Sequence, residues 1–261
     1  MCQLLGMNCN TPTDIAFSFS GFSQRSGRTG DHADGWGIAF FEEALGLRHF
    51  VDHLPAIDSP IADLIRRYPI KSRNVIAHIR KATQGPVNLQ NCHPFVRELW
   101  GRYWVFAHNG DLKQFVPRLH GNFRPVGATD SEAAFCWLMQ ELAKSHATVP
   151  SVDELTLTLR ELVPQLSSHG TFNFLLSNGQ ALWAHASTNL YYLERRHPFM
   201  PAELEDDDVS IDFASCTTPQ DRVAMIVTAP LTSNEEWTAF GKGELKVFVD
   251  GALHMRAAGL G

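Results

Sequence analysis

Cysteine at position 2 has chemistry open to it that an internal cysteine lacks. Cells remove an initiator methionine when the next residue is small, and loss of Met1 would leave a thiol and a free α-amine on one residue. The amine has an unperturbed pKa of about 8 and the thiol about 8.5, so at neutral pH a fraction of the amine is neutral and takes the thiol proton, directly or through water. Nucleophile and base are then one residue, with no separate His or Asp required. Read alone, Cys2 is simply the second residue of a chain, and other residues must raise the catalytic reading.

Three further segments carry residue types suited to such a nucleophile. Ala77-His78-Ile79-Arg80-Lys81-Ala82-Thr83 reads as a strand end, where Arg80 could present a planar fork to a carboxylate or make an ordinary surface pair. In Ala107-His108-Asn109-Gly110 an Asn amide and a neighbouring glycine N–H could supply two convergent donors to a developing oxyanion. Asn-Gly is also a common turn, and for the dipeptide alone the turn is the stronger reading. Asp130 stands at a helix start, where it could accept first-turn amides, pair with a ligand ammonium, or do both with its two oxygens.

Positioning these groups requires strands. Eight short runs have strand character: 35–41, 47–51, 75–80, 103–108, 172–177, 181–185, 224–228 and 245–249. Their number implies more than one sheet. Ser177-Asn178-Gly179 and Asn109-Gly110-Asp111 have the punctuation of hairpins, which favours antiparallel connections. Three helices are signalled: Ser59-Pro60 opens 61–68, Thr129 and Glu132 have capping-box spacing ahead of an apolar face at Phe135, Leu138, Met139 and Leu142, and Ser151 and Glu154 repeat that spacing. Helices covering antiparallel sheets, an α+β architecture, follow. The stretch 198–208, with two prolines and three consecutive aspartates, reads as a solvated surface loop.

The 261 residues suit one domain over 1–261, with 44% hydrophobic residues, 17 Phe and 6 Trp to fill an interior. A formal charge of −6 and the absence of a Lys/Arg run argue against nucleic acid, and no apolar run approaches the roughly 20 residues of a membrane helix. A cytoplasmic protein acting on a small molecule is expected. Five cysteines, at 2, 9, 92, 136 and 216, show no CxxC pair, and the 12 histidines no ligand spacing, so no metal, cofactor or disulfide framework is indicated. Cys136, between Phe135 and Trp137, reads as core.

Four separated motifs together resemble the class II glutamine amidotransferases, whose amidase domain belongs to the N-terminal-nucleophile hydrolases: Met1-Cys2, 77–83, His108-Asn109-Gly110-Asp111 and Thr129-Asp130-Ser131-Glu132. The likeness is greatest to small stand-alone members that begin Met-Cys-Gln-Leu-Leu-Gly and carry Asp34-Gly35-Trp36-Gly37, Cys92-His93-Pro94-Phe95 and a late Ala229-Pro230-Leu231-Thr232. The resemblance implies a four-layer αββα sandwich of two antiparallel sheets between helix layers. It implies that Cys2, exposed by removal of Met1, is the nucleophile and its amine the base, and that Asn109 and Gly110 N–H form the oxyanion hole. Arg80 would hold the substrate α-carboxylate and Asp130 the α-ammonium, with Thr83 orienting the carboxylate or the arginine. The substrate would be glutamine, or another γ-glutamyl small molecule in a rival reading, and any ammonia acceptor would sit on a synthase partner protein. A rival of another class is a non-catalytic amino-acid-binding regulatory subunit. One departure stands out: where many members have His-Arg-Gly, this chain has Gly30-Asp31-His32-Ala33, and His32 reads as a solvated loop residue unless it substitutes for the missing arginine.

Overall fold

A computed structural model describes residues 2–42, 45–82 and 85–254. Two antiparallel sheets stack face to face. In the larger, the order is Thr238–Ala239, Tyr191–Arg196, Arg222–Val227, Gln3–Thr13, Ser72–Ile79, Trp36–Glu42 and Gly46–Asp52. The other runs Ala252–Leu253, Glu244–Val249, Leu182–Ala186, Gly170–Ser177, Arg102–Leu112 and Phe95–Leu99. Helices α1 (Ala16–Gln24) and α2 (Pro60–Arg67) cover the first sheet, and α3 (Asp130–Ser145) and α4 (Val152–Ser167) the second. This is the four-layer αββα arrangement expected.

Three apolar layers hold these four together. Leu4, Ile76, Ala107, Leu175, Leu182 and Phe248 fill the space between sheets. Their chain neighbours point the other way, as strand pleating requires: Leu5, Met7 and Ala77 pack outward with Phe19 and Phe22 of α1 and Ile65 of α2. On the far side Trp104, Phe106, Phe172 and Trp183 meet Phe135, Leu138 and Leu159 of α3 and α4. Because both faces of the central strands are covered, these strands read as near-continuous apolar runs rather than alternating ones. Gly6 lets the sheets pack close; a Cβ there would lie 2.9 Å from the Leu182 side chain.

All eight expected strands and all three expected helices are present, with shifted ends. Ser151 and Glu154 form a full capping box, whereas Thr129 caps Glu132 N–H at 3.2 Å but the Glu132 carboxylate turns to Val126 N–H, Gly127 N–H and Arg97 instead. The N-terminal strand Gln3–Thr13 and α1 were not anticipated.

Three expectations are corrected. Asn109-Gly110-Asp111 is no turn: it continues the Arg102–Leu112 strand, with Asn109 opposite Asn173 and Gly110 opposite Phe172. Glycine is needed there because a Cβ would lie 1.8 Å from the Thr171 carbonyl oxygen, closer than two strands carrying side chains can come. The 198–208 stretch is docked rather than solvated: Leu204 is buried, Asp206 Oδ2 pairs with Arg25 Nε at 2.6 Å, and Asp207 accepts from Gln24 Nε2 at 2.9 Å. Asp206 answers the buried arginine at the end of α1. His32 is buried too, its carbonyl accepting from Ser26 Oγ at 3.0 Å.

Candidate active site

Cys2 immediately precedes the central strand of the larger sheet, and pairing of Gln3 with Ile79 brings it against the chain that leaves the neighbouring strand. Its Sγ accepts the Lys81 N–H at 3.3 Å and lies 3.4 Å from the Lys81 carbonyl oxygen. Burial pushes the thiol pKa up, and the Lys81 N–H opposes that shift by favouring thiolate. The Cys9 and Cys92 thiols donate to carbonyl oxygens as well, those of Ser72 and Asp52 respectively, and burial pushes both to about 11. The exposed Cys216 lies far along the chain in a short helical turn.

The Lys81 amide is aimed by main-chain contacts. Asp34 N–H donates to the Arg80 carbonyl, Arg80 N–H donates to the Gly35 carbonyl, and Asp34 Oδ2 accepts Ala82 N–H at 2.8 Å. Asp34 therefore clamps the residues on either side of Lys81. The sequence showed its motif without assigning it a role. Asp31 pairs with the Lys81 ammonium at the surface. Arg25 is buried, its guanidinium donating to the Ala229 carbonyl at 2.8 Å and to that of Pro230.

The second sheet brings Asn109 to the same place. Thr228 Oγ1 lies between them, 2.9 Å from Leu4 N and 3.4 Å from Asn109 Nδ2. Asn109 Oδ1 is buried with no hydrogen-bond partner among the described residues. Directly across the ladder, the fully buried Asn173 uses its whole amide: Nδ2 donates to the Asn109 carbonyl at 3.0 Å and to Thr188, and Oδ1 accepts Ser187 N–H and Thr188 N–H at 2.9 Å each. Such saturation holds a backbone carbonyl firmly, since breaking any bond strands a buried polar atom.

Histidine 108 joins this strand to α3. Its Nε2–H donates to the Thr171 carbonyl at 3.1 Å, so Nδ1 carries the lone pair and accepts the Ser131 hydroxyl at 2.8 Å. Burial lowers its pKa, against the opposing pull of Asp130. His78 Nε2–H donates to the His108 carbonyl at 3.2 Å. The His78 ring lies 4.1 Å from that of His93, and His78 Nδ1 and both His93 nitrogens have no partner among the described residues. Burial drives His78 down to about 3 and His93 well below its ordinary value, so both are neutral apart from strong acid.

Asp130 does not cap its own helix. Thr129 does that, leaving Asp130 Oδ2 to accept Leu112 N–H at 2.7 Å and Oδ1 3.5 Å from the Ser131 hydroxyl. Arg80 is buried, and its guanidinium donates to the Gly85 and Pro86 carbonyls at 3.1 Å each. Asn91 bridges the Arg80 loop and the segment before α3: Nδ2 donates to the same Pro86 carbonyl at 2.9 Å, and Oδ1 accepts Ala128 N–H at 2.9 Å. Thr83 and Met1 lie outside the described residues. Cys2 is thus held at the peptide that follows Arg80, Asn109 and Gly110 lie on the strand whose Leu112 N–H Asp130 accepts, and Thr228 bonds both the Cys2 strand and Asn109. Asp34, Asn91, Asn173 and Thr228 support these positions, and sequence reasoning missed them because their partners are distant in the chain.

A family model described as class-II glutamine amidotransferases matches residues 1–259. The chain is 53% identical over 251 residues to a candidate glutamine amidotransferase of Haemophilus influenzae, covering 96% of this chain and 85% of that one. It is 52% identical over 249 residues to the candidate glutamine amidotransferase YafJ of Escherichia coli, covering 95% and 97%. The crystal structure of a predicted glutamine amidotransferase from Pseudomonas aeruginosa superposes with a TM-score of 0.78 at 43% identity, covering 98% of this chain and all of that one.

Proposed function

The chain belongs to the class II glutamine amidotransferases, and from that premise we propose that it hydrolyses the side-chain amide of glutamine through a thioester on Cys2. The observation that carries this reading is the Lys81 N–H aimed at Cys2 Sγ, a contact that favours thiolate at a residue whose strand bonds Thr228 and, through it, Asn109.

With Met1 removed, the α-amine of Cys2 takes the thiol proton and the thiolate attacks the amide carbon. Asn109 side chain and Gly110 N–H stabilise the oxyanion, a term often worth about 10²–10³ in rate per donor. As the tetrahedral intermediate collapses, the C–N bond breaks and the ammonium form of the amine protonates the leaving ammonia, leaving a γ-glutamyl thioester. Water, deprotonated by the same amine, then releases glutamate and restores the thiol. Arg80 takes the substrate α-carboxylate and Asp130, through Oδ1, the α-ammonium. Neutralising both ends of an amino acid is what a site of low water content must do to bind it. Thr83 is assigned a supporting role beside Arg80. One domain over residues 1–261 carries the activity, and an ammonia acceptor, where one is used, is bound by a partner protein.

The test is intact-mass analysis of the purified protein with ammonia release measured from glutamine, beside Cys2→Ala. Loss of Met1 with cysteine-dependent ammonia release supports the reading. A processed, glutamine-inactive protein that cleaves γ-glutamyl conjugates assigns it to that substrate class instead, and retained Met1 in the native host sinks the role of the amine.

A further inference from the structure

The Thr228 hydroxyl meets both the strand that follows the nucleophile and the side chain assigned to the oxyanion, and its hydrogen-bond balance does not close in the orientation the structure gives. Thr228 Oγ1 is placed to accept from Leu4 N at 2.9 Å and from Asn109 Nδ2 at 3.4 Å, while Asn109 Oδ1 is buried with no partner among the described residues. Two N–H groups then face one oxygen. An unpaired buried carbonyl is costly, and a side-chain amide has two orientations of equal shape between which only hydrogen bonding decides. Turning the Asn109 amide by half a revolution places Oδ1 opposite Thr228. The hydroxyl then accepts from Leu4 N–H and donates to Asn109 Oδ1, so the amide oxygen, the hydroxyl and the Leu4 N–H each have a partner of the right kind and the atom left open is a donor. Nδ2 passes to the position Oδ1 held, with both its hydrogens uncommitted.

We propose that Thr228 is a positioning residue for the oxyanion hole: its hydroxyl, oriented by Leu4 N–H, selects the Asn109 orientation that presents Nδ2 to the developing oxyanion. The inference rests on the glutaminase reading and deepens it. Thr228 is anchored on its other side as well, its N–H donating to the Leu4 carbonyl at 3.2 Å, so the hydroxyl stands at a fixed place relative to the Cys2 strand. Asn173 meanwhile holds the Asn109 carbonyl, leaving the amide rotation as the freedom that Thr228 removes.

The test compares Thr228→Val, which keeps the shape and removes the hydroxyl, with Thr228→Ser, which keeps the hydroxyl. Glutamine turnover is measured with inhibition by glutamate and by glutamate γ-semialdehyde. The aldehyde carbon accepts the Cys2 sulfur while the thiol proton passes to its oxygen, giving a hemithioacetal whose oxygen occupies the oxyanion position. For Thr228→Val, kcat falls by about 10–100-fold with KM within about twofold, an oxyanion-type loss. The inhibition constant of the semialdehyde rises by the same factor as kcat/KM falls, that of glutamate is unchanged, and Thr228→Ser recovers most of the loss. A Thr228→Val protein with wild-type kcat overturns the proposal, as does Thr228→Ser failing equally, or glutamate and the semialdehyde weakening together. If the wild-type protein neither turns over glutamine nor binds the semialdehyde, the glutaminase reading falls and takes this inference with it; the other overturning results leave that reading intact.

Discussion

The two walls of the candidate site are built differently. On the nucleophile wall Cys2 Sγ meets main-chain groups of Lys81, and the peptide run 80–82 is held by main-chain bonds to 34–35 plus the Asp34 carboxylate. On the oxyanion wall the holders are buried side chains: Asn173 on the Asn109 carbonyl, His78 on the His108 carbonyl, and the His108 ring on Ser131. A wall of main-chain contacts tolerates side-chain change so long as the strand stays in register. A wall of buried amides and imidazoles does not, because each truncation leaves a partner unsatisfied.

The largest effects should come from the reacting groups on either wall. Cys2→Ala should lower ammonia release from glutamine by about 10⁴-fold or more, as removal of a nucleophile does elsewhere, with little change in melting temperature. Residual turnover near the wild-type rate would break the assignment of that wall. Asn109→Ala should cost about 10²–10³ in kcat, measured with KM to separate it from a binding defect.

Asn173→Ala sharpens the comparison, since Asn173 touches no proposed reacting atom. It should destabilise by about 2 kcal/mol, seen in denaturant melts, and lower kcat as the Asn109 carbonyl is freed. An Asn173→Ala protein of full stability would mean that the oxyanion wall is not held as described.

Acid should also act on that wall first. His78 has a folded pKa of about 3, below the ordinary histidine value of about 6.5, so the unfolded chain binds the proton more readily. The stability it contributes is full above pH 6.5 and is lost as the pH falls from there toward 3, by up to about 1.4 kcal/mol per unit. His93 adds in the same direction. Melting temperature should therefore drop between pH 7 and pH 5, and His78→Gln should flatten that slope. Glutamine turnover follows the nucleophile wall instead: burial raises the Cys2 pKa, so kcat/KM should climb from pH 6 through 8.

The smallest effect is expected at Lys81→Ala. Its contribution to the thiol comes from the peptide N–H, and its ammonium pairs with the exposed Asp31. Turnover should stay within about twofold, since exposed pairs add little; a loss beyond tenfold would show that the side chain itself acts on the site.

The same contrast explains what could be read in the sequence. The helix starts and the strand that ends before Arg80 were legible because caps and strand ends are local signals. Gln3–Thr13 was not, since Gly6, Asn8 and Asn10 interrupt its apolar run; Asn8 is satisfied by Asn74 and Gly6 by the Leu182 side chain, neither nearby in sequence. Helix α1 hid for a related reason: three serines and Gly21 dilute a face that still buries Phe19 and Phe22. Asn109-Gly110 carried a turn signal that the strand context overrode, because the glycine answers the Thr171 carbonyl rather than a reversal of the chain.

The place of the first strand has a kinetic consequence. Gln3–Thr13 is flanked by Ser72–Ile79 on one side and Arg222–Val227 on the other, and Leu4 N bonds Thr228 Oγ1 across 224 positions of sequence. Contacts that far apart close late, after much chain entropy has been lost. During synthesis from the N-terminus the thiol emerges among the first residues, yet its oxyanion partner is fixed only when residue 228 has left the ribosome and docked. Reactivity at Cys2 therefore marks a chain made past residue 228, and a product truncated before 222 keeps the cysteine but lacks the strand and hydroxyl that complete the proposed site.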